Sequence, residues 1–186
     1  EVVDFDFDPS GVAGVTTTAG KFPADHAVIC AGIWSKDICA RLGWKVPLES
    51  HRGYHVTLEN PGTSLNHMCF PVEDKFAITP MSMGVRVAGT VELAGVDAPP
   101  NYARSQALLR AATKILPGVR TEKVTQWMGH RPCLPDSLPV IDSCPHHKGI
   151  FFAFGHGHQG LLGASQTAKV VDELIRGVPP SMDLRP

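Results

Sequence analysis

Polar and apolar positions alternate over residues 2–7, Val-Val-Asp-Phe-Asp-Phe, in the period-2 way of a half-buried strand. Asp8-Pro9-Ser10-Gly11 reads as a turn, and residues 11–17 supply the second arm of a hairpin. Residues 24–32, Ala-Asp-His-Ala-Val-Ile-Cys-Ala-Gly, form a short apolar run ended by glycine, the pattern of a strand buried on both faces of a layered α/β sheet. Trp34, Ile38 and Leu42 then recur at helical spacing, and Gly43 stops the helix.

From about residue 45 to 130 the texture changes. Residues 51–58, 75–79, 85–93 and 123–128 are strand candidates separated by Pro, Gly and Asn clusters. One helix interrupts them over residues 102–116, with Leu108, Ala112 and Ile115 on one face and Pro117-Gly118 as its stop. The buried-strand pattern returns at residues 149–154, Gly-Ile-Phe-Phe-Ala-Phe, followed by a glycine-rich turn. The last helix, residues 161–176, carries Leu161, Ala164, Ala168, Val171 and Ile175 on its expected buried stripe. The chain thus leaves a layered α/β unit near residue 43 and returns to it near 149, with an antiparallel α+β module inserted between. No internal repeat or low-complexity stretch is present.

Composition narrows the function classes. With 186 residues, 43% hydrophobic, 19% charged and a formal net charge of −1, the chain has a core-forming balance and lacks the basic excess that marks a nucleic-acid binder. No apolar run reaches the roughly 18 residues of a membrane span, and the opening Glu-Val-Val-Asp resembles no secretory leader, so a cytoplasmic location is expected. Glu1 opens in the style of a mid-strand residue, which predicts a piece of a longer chain. The cysteines, Cys30, Cys39, Cys69, Cys133 and Cys144, are odd in number and contain no CxxC pair, which argues against a disulfide framework. Cys30 and Cys39 read as buried small apolar residues. Nine histidines include His146-His147 and the pair His156, His158, but none has a Cys or carboxylate at zinc-ligand spacing, so no metal is expected.

Gly155-His156-Gly157-His158-Gln159-Gly160 satisfies G-x-G-x-x-G after a strand and before a helix. A helix N-terminus offers unpaired N–H groups and a positive dipole end to a partial negative charge. A dinucleotide fingerprint, however, needs a further strand with an acidic residue about 20 positions on. Only residues 177–186 follow the helix. A stand-alone NAD module is therefore disfavoured, and a plain glycine-rich helix entry remains the alternative to a ligand site.

At this point a resemblance can be given. Residues 24–35, Ala-Asp-His-Ala-Val-Ile-Cys-Ala-Gly-Ile-Trp-Ser, are similar to a late strand of the FAD-dependent D-amino-acid oxidase and dehydrogenase family, which includes glycine and sarcosine oxidases. Pro47 with Arg52-Gly53-Tyr54, then Arg86-x-x-Gly89-Thr90-x-Glu92, follow in order. So do Trp127-x-Gly129-x-Arg131-Pro132-x-x-Pro135-Asp136-x-x-Pro139-x-Ile141 and the turn at 155–160. The resemblance spans nearly the whole chain. It lacks the first Rossmann strand, the pyrophosphate-binding glycines and the acidic ribose ligand with which family chains begin, so this sequence resembles the C-terminal half of such a flavoprotein. It implies a partial FAD-binding, Rossmann-like layer in residues 1–43 and 131–186, and an antiparallel-sheet substrate domain in residues 44–130.

The resemblance also implies roles. Arg131 matches the arginine that pairs with the substrate carboxylate in the glycine-oxidase branch, a task suited to a planar guanidinium fork; the alternative is an arginine held by Asp136. Gly155, His156, Gly157, His158, Gln159, Gly160 and Leu161 would border the flavin, where a positive helix end stabilises the charge that reduction brings. His158 replaces an arginine of that branch and would assist carboxylate binding or face the flavin. Gly32 and Trp34 would lie along the cofactor. Tyr54 and His55 are candidates for the substrate pocket, but neighbours on a strand point to opposite faces, so one at most does so. The implied reaction is FAD-dependent oxidation of the Cα-amine of a D-amino acid or a glycine-like amine to an imine and then a 2-oxo acid. No catalytic base is required if the amine arrives deprotonated. The alternative is a non-catalytic subunit or scaffold that contributes half a flavin site to a partner chain. The expected partners are a small amine or amino-acid substrate and the missing N-terminal half or a partner subunit. The isolated fragment is expected to be inactive and unable to hold FAD tightly. An unpaired sheet edge would favour a homo-oligomer.

Overall fold

The structure, a computed structural model, describes residues 1–184. Strands β1 (Val2–Asp8), β2 (Gly11–Thr17) and β3 (Gly20–Pro23) form an antiparallel meander in the order β1-β2-β3. The Asp8 carboxylate accepts the N–H groups of Ser10 and Gly11 at 2.7 and 3.2 Å, which closes the first turn as the Asp-Pro-Ser-Gly sequence predicts. Strand β4 (Ala27–Ile29) leads through a 3-10 turn (Gly32–Trp34) into α1 (Ser35–Arg41), which stops at Gly43, φ +85°. The middle of the chain holds β5 (Glu49–Leu58), β6 (Ala77–Met81), β7 (Gly84–Leu93), α2 (Ala103–Ile115) and β8 (Val124–Cys133). After it come β9 (Val140–Ser143), β10 (Ile150–Phe154) and α3 (Gly160–Ile175).

The chain divides into two compact units, residues 1–49 with 131–186, and residues 50–130. In the first, a second sheet runs β4-β10-β9, with β4 parallel to β10 and β9 antiparallel to it. Phe5, Val12, Ile29, Ile33, Leu48, Ile150, Phe152 and Phe154 are buried together in its core. Residues 44–49 belong to this unit, not to the middle segment as the sequence pattern suggested, because Leu48 is buried in that core with Trp44 and Val46 packed against it.

The second unit is a four-stranded antiparallel sheet, β6-β7-β5-β8, with α2 covering one face. Val56, Leu58, Phe76, Ile78, Val85, Val87, Leu108 and Ala112 are buried between sheet and helix. Opposite Tyr54 and His55 the register slips by one residue on β7: Tyr54 pairs with Thr90 and His55 with Ala88. The skipped residue is Gly89, where a Cβ would fall 2.4 Å from the Cβ and 2.5 Å from the Cα of Phe76, so only glycine fits against that backbone.

Four expectations change. The run at 24–32 is a strand only over Ala27–Ile29, because its partner β10 pairs with three residues and the 3-10 turn begins at Gly32. Cys30 is exposed, since it lies just beyond this edge strand, whereas Cys39 and Cys144 are buried; all five cysteines are free. Strands β3 and β9 escaped the pattern because each is four residues long. The expected stripe of α3 is buried only toward its C-terminal half, at Val170, Val171 and Glu173; Leu161 and Leu162 are 91% and 81% exposed, and Ala164 and Ala168 are exposed too. Among the described residues no helix is long and apolar enough to cross a membrane, and no group of three or more His, Cys, Asp or Glu side chains could hold a metal ion.

Candidate functional site

Parallel pairing of β4 with β10 puts the C-terminal ends of both strands on the same rim of the sheet. In open α/β sheets that rim is where ligands bind, because glycine turns and helix N-termini converge there. The Gly32–Trp34 turn follows β4 and the 155–160 turn follows β10, so turns more than 120 positions apart in sequence open at one rim. Gly32 has φ +59° with open space where a Cβ would stand, and Trp34 is exposed.

The 155–160 turn is held by backbone geometry. Gly155 (φ +85°) is buried, and a Cβ there would fall 2.7 Å from Leu134 Cδ1. Gly157 (φ +53°) donates its N–H to the Pro132 carbonyl at 2.9 Å, and a Cβ on it would meet Cys133 Sγ at 3.4 Å. These contacts dock the turn on the segment that directly follows Arg131, the guanidinium singled out by the sequence. Burial pushes the Cys133 thiol up, and the Arg131 charge partly counters it.

His156 and His158 diverge. The His156 side chain lies against Gly160 and Gly163, and its ring shares a hydrogen bond with Thr167 Oγ1 at 2.9 Å; burial lowers its pKa and favours the neutral ring. His158 is exposed on the turn. Gln159 is the N-cap of α3, and no side chain caps the helix. The first N–H groups of an α-helix have no partner within it, so the amides of Gly160, Leu161 and Leu162 face outward beside two bare leucines. An uncapped helix start, glycine-lined and bearing exposed Leu161 and Leu162, suits a flat, partly anionic group such as a flavin.

In the second unit the structure separates Tyr54 from His55. Tyr54 is 1% exposed: its O–H donates to the Glu92 carboxylate and its oxygen accepts the Asn101 N–H at 2.9 Å. Arg52, fully buried, reaches Glu92 at 3.4 Å and the Pro99 carbonyl at 3.3 Å, and it also donates to the Ala98 carbonyl; Arg104 approaches Glu92 at 3.4 Å from α2. The tyrosine hydrogen bond, then the two guanidinium groups, hold the Glu92 carboxyl below its usual range. Burial and Glu92 push the Tyr54 phenol up. Tyr54 is thus committed to an internal network rather than presented to a pocket.

His55 is the member of the pair that lines a cavity. Its ring stacks on Trp127 at a centroid distance of 5.1 Å and 28° between planes, and both border a cavity of about 650 Å³ with Thr57, Glu59, Met83 and Thr125. Burial, then the nearby Arg86 charge, lowers the His55 pKa. The sequence reading gave Trp127 no role. The alternation Trp127-x-Gly129-x-Arg131, which puts all three on one strand face, is the signal that could have found it.

The FAD dependent oxidoreductase pattern matches residues 1–174. The chain belongs to this family. It is 37% identical over 179 residues to a D-amino-acid oxidase of Bradyrhizobium diazoefficiens, covering 94% of this chain and 42% of the relative. A glycine oxidase of Pseudomonas putida is 29% identical over 187 residues, covering 100% of this chain and 51% of the relative, and a D-amino acid dehydrogenase of Paramagnetospirillum magneticum is 30% identical over 184 residues, covering 95% and 42%. The solved structure of glycine oxidase from Geobacillus kaustophilus superposes with a TM-score of 0.80 at 26% identity, over 100% of this chain and 50% of that one. The family member therefore has the mixed α/β fold with antiparallel sheets of those enzymes, and it spans about half the length of the curated relatives it matches.

Proposed function

We propose that residues 1–186 are the C-terminal half of an FAD-dependent enzyme that oxidises the Cα-amine of a D-amino acid or a glycine-like amine. The observation that carries this reading is the docking of the uncapped, glycine-lined start of α3 on the segment that follows Arg131, at the carboxyl-end rim of a parallel strand pair. In this reading β4, β10 and β9 close a Rossmann-like FAD-binding layer, and the outer edge of β4, which has no strand beside it among the described residues, accepts the dinucleotide-binding half. The middle unit is the substrate domain.

FAD, when bound, supplies the acceptor for the hydride that leaves the amine Cα. Arg131 holds the substrate carboxylate through two parallel N–H···O bonds and so fixes which face of Cα is presented. His158 assists that clamp or faces the cofactor. The amides of Gly160, Leu161 and Leu162, with the positive end of α3, stabilise negative charge placed beside them; the half-buried His156, whose pKa burial lowers, adds no competing charge. Gly32 and Trp34 line the cofactor from β4. Loss of hydride from an uncharged amine leaves an iminium, which sheds a proton and is hydrolysed by water to the 2-oxo acid and ammonia. Tyr54 is assigned a structural role, and His55 takes its place as the pocket-facing residue of β5.

Full-length protein reconstituted with FAD should be yellow and should bleach when mixed anaerobically with a D-amino acid or glycine. A reconstituted protein that keeps its visible absorbance with every amine tried would overturn the catalytic assignment and favour the scaffold reading.

A further inference from the structure

We propose that Arg86, flanked by Thr57 and Thr79, is a carboxylate-binding site on the face of the middle sheet that α2 leaves uncovered, and that its ligand is a small organic acid. Val56, Leu58, Ile78, Val85 and Val87 face α2, where they are buried with Leu108 and Ala112. Side chains alternate along a strand, so Thr57, Thr79 and Arg86 stand on the opposite face. The register sets Arg86 directly across from Thr57 on β5 and from Thr79 on β6, with His55 as its diagonal neighbour on the same face. One arginine thus stands between two threonines and beside a histidine, all four within the second compact unit.

The fold leaves this arginine without a counter-charge. Arg52 and Arg104 of the same unit share Glu92, whereas the half-buried Arg86 makes no ion pair among the described residues. Its Nε is buried and has no hydrogen-bond partner, and the same holds for Nδ1 of His55. A charged group withdrawn from water without a partner costs free energy, which a bound anion offsets. The Nε–H and a terminal N–H of a guanidinium lie side by side at the spacing of two carboxylate oxygens. Threonine hydroxyls on either side can donate to the lone pairs that remain. Burial, then the Arg86 charge, lowers the His55 pKa and favours a neutral ring with one N–H to give. Ala77 and Ala88, paired on this face, place only methyl groups beside the guanidinium. His55 and Thr57 also line the cavity of about 650 Å³, room enough for a small organic acid; Glu59 borders it too, without pairing to Arg86. A single cation balances one carboxylate, whereas a phosphate group carries about two charges near neutral pH.

The test uses the full-length, FAD-loaded protein and stands apart from the amine-oxidising reading. Phenylglyoxal modifies accessible guanidinium groups, and peptide mass spectrometry follows the reaction at Arg86 by itself. Glutarate should slow that reaction at least fivefold, sodium chloride at equal ionic strength should not, and the protection should vanish when Thr57→Val and Thr79→Val are combined. A rate unchanged by glutarate overturns the proposal, as does protection that persists undiminished in the double variant. So does an Arg86 that resists the reagent with no acid added, since a carboxylate of the remaining chain then already pairs with it. Kinetics identifies the source of the carboxylate. If Arg86→Met lowers kcat/KM for D-glutamate relative to D-glutamine at least tenfold, the ligand is the side chain of an acidic amino-acid substrate. If that ratio is unchanged while glutarate protects Arg86 in the native protein, the ligand is a separate acid. Failure to oxidise any amino acid overturns the enzymatic reading, and the protection experiment still decides the site.

Discussion

Two arginines of this chain illustrate opposite uses of one functional group. Arg52 is wholly buried and spends its donors on Glu92 and on carbonyls of the 96–99 loop, so it staples β5 and β7 to the approach of α2. Removing one member of such a buried set leaves its partners uncompensated, and Arg52→Met should destabilise the protein by roughly 3 kcal/mol in urea unfolding. Glu92 gives this network a pH dependence. Its carboxyl is held below the usual range when folded, so its contribution is complete at neutral pH, declines as pH falls through the carboxylate range, and is gone below the folded pKa. Urea midpoints measured between pH 7 and pH 3 should fall less steeply in Glu92→Gln than in the native sequence. Arg131, at the end of β8 beside the glycine turn, is the arginine assigned to substrate. Arg131→Met in the full-length enzyme should lower kcat/KM about 100-fold, roughly 3 kcal/mol of lost charge-assisted bonding, with Arg131→Lys intermediate.

The elements show how a short turn can be more constrained than the strand and helix it joins. Between β10 and α3, Gly155 and Gly157 both have positive φ, and each abuts the 132–134 segment. Gly155→Ala combines left-handed backbone strain with a Cβ 2.7 Å from Leu134 Cδ1, and should cost about 2 kcal/mol, seen as a lower Tm. Much of this element order was legible, because period-2 alternation and helical spacing are local properties of the chain. Strands β1, β2, β5, β7 and β10 and helices α2 and α3 lie where those patterns predict. The exposed first half of α3 was not legible. Leu161, Ala164 and Ala168 have the spacing of a buried stripe, but spacing records only that a face is apolar, not what covers it.

At the scale of the whole molecule, the uncovered start of α3 and the outer edge of β4 belong to the same first unit and to the same reading of the chain as half of a flavoprotein. The isolated 186-residue chain should release FAD during gel filtration, whereas the full-length protein retains it. The same chain should also self-associate as its concentration rises in sedimentation velocity, because an unpaired strand edge beside bare leucines favours pairing with another copy.

The sequence by itself determined the alternation of layered α/β and antiparallel segments, the glycine turn before the last helix, the family, and Arg131 as a candidate, since each is carried by residues close together or by an ordered set of motifs. Tertiary structure decided what depends on partners far along the chain. It turned Tyr54 into the Glu92 network and left His55 to stack on Trp127, because the faces of β5 are defined only once α2 has covered one of them. It also brought the Gly32 turn to the rim of the Gly155 turn, because only parallel pairing of β4 with β10 aligns the ends of two strands so distant in sequence.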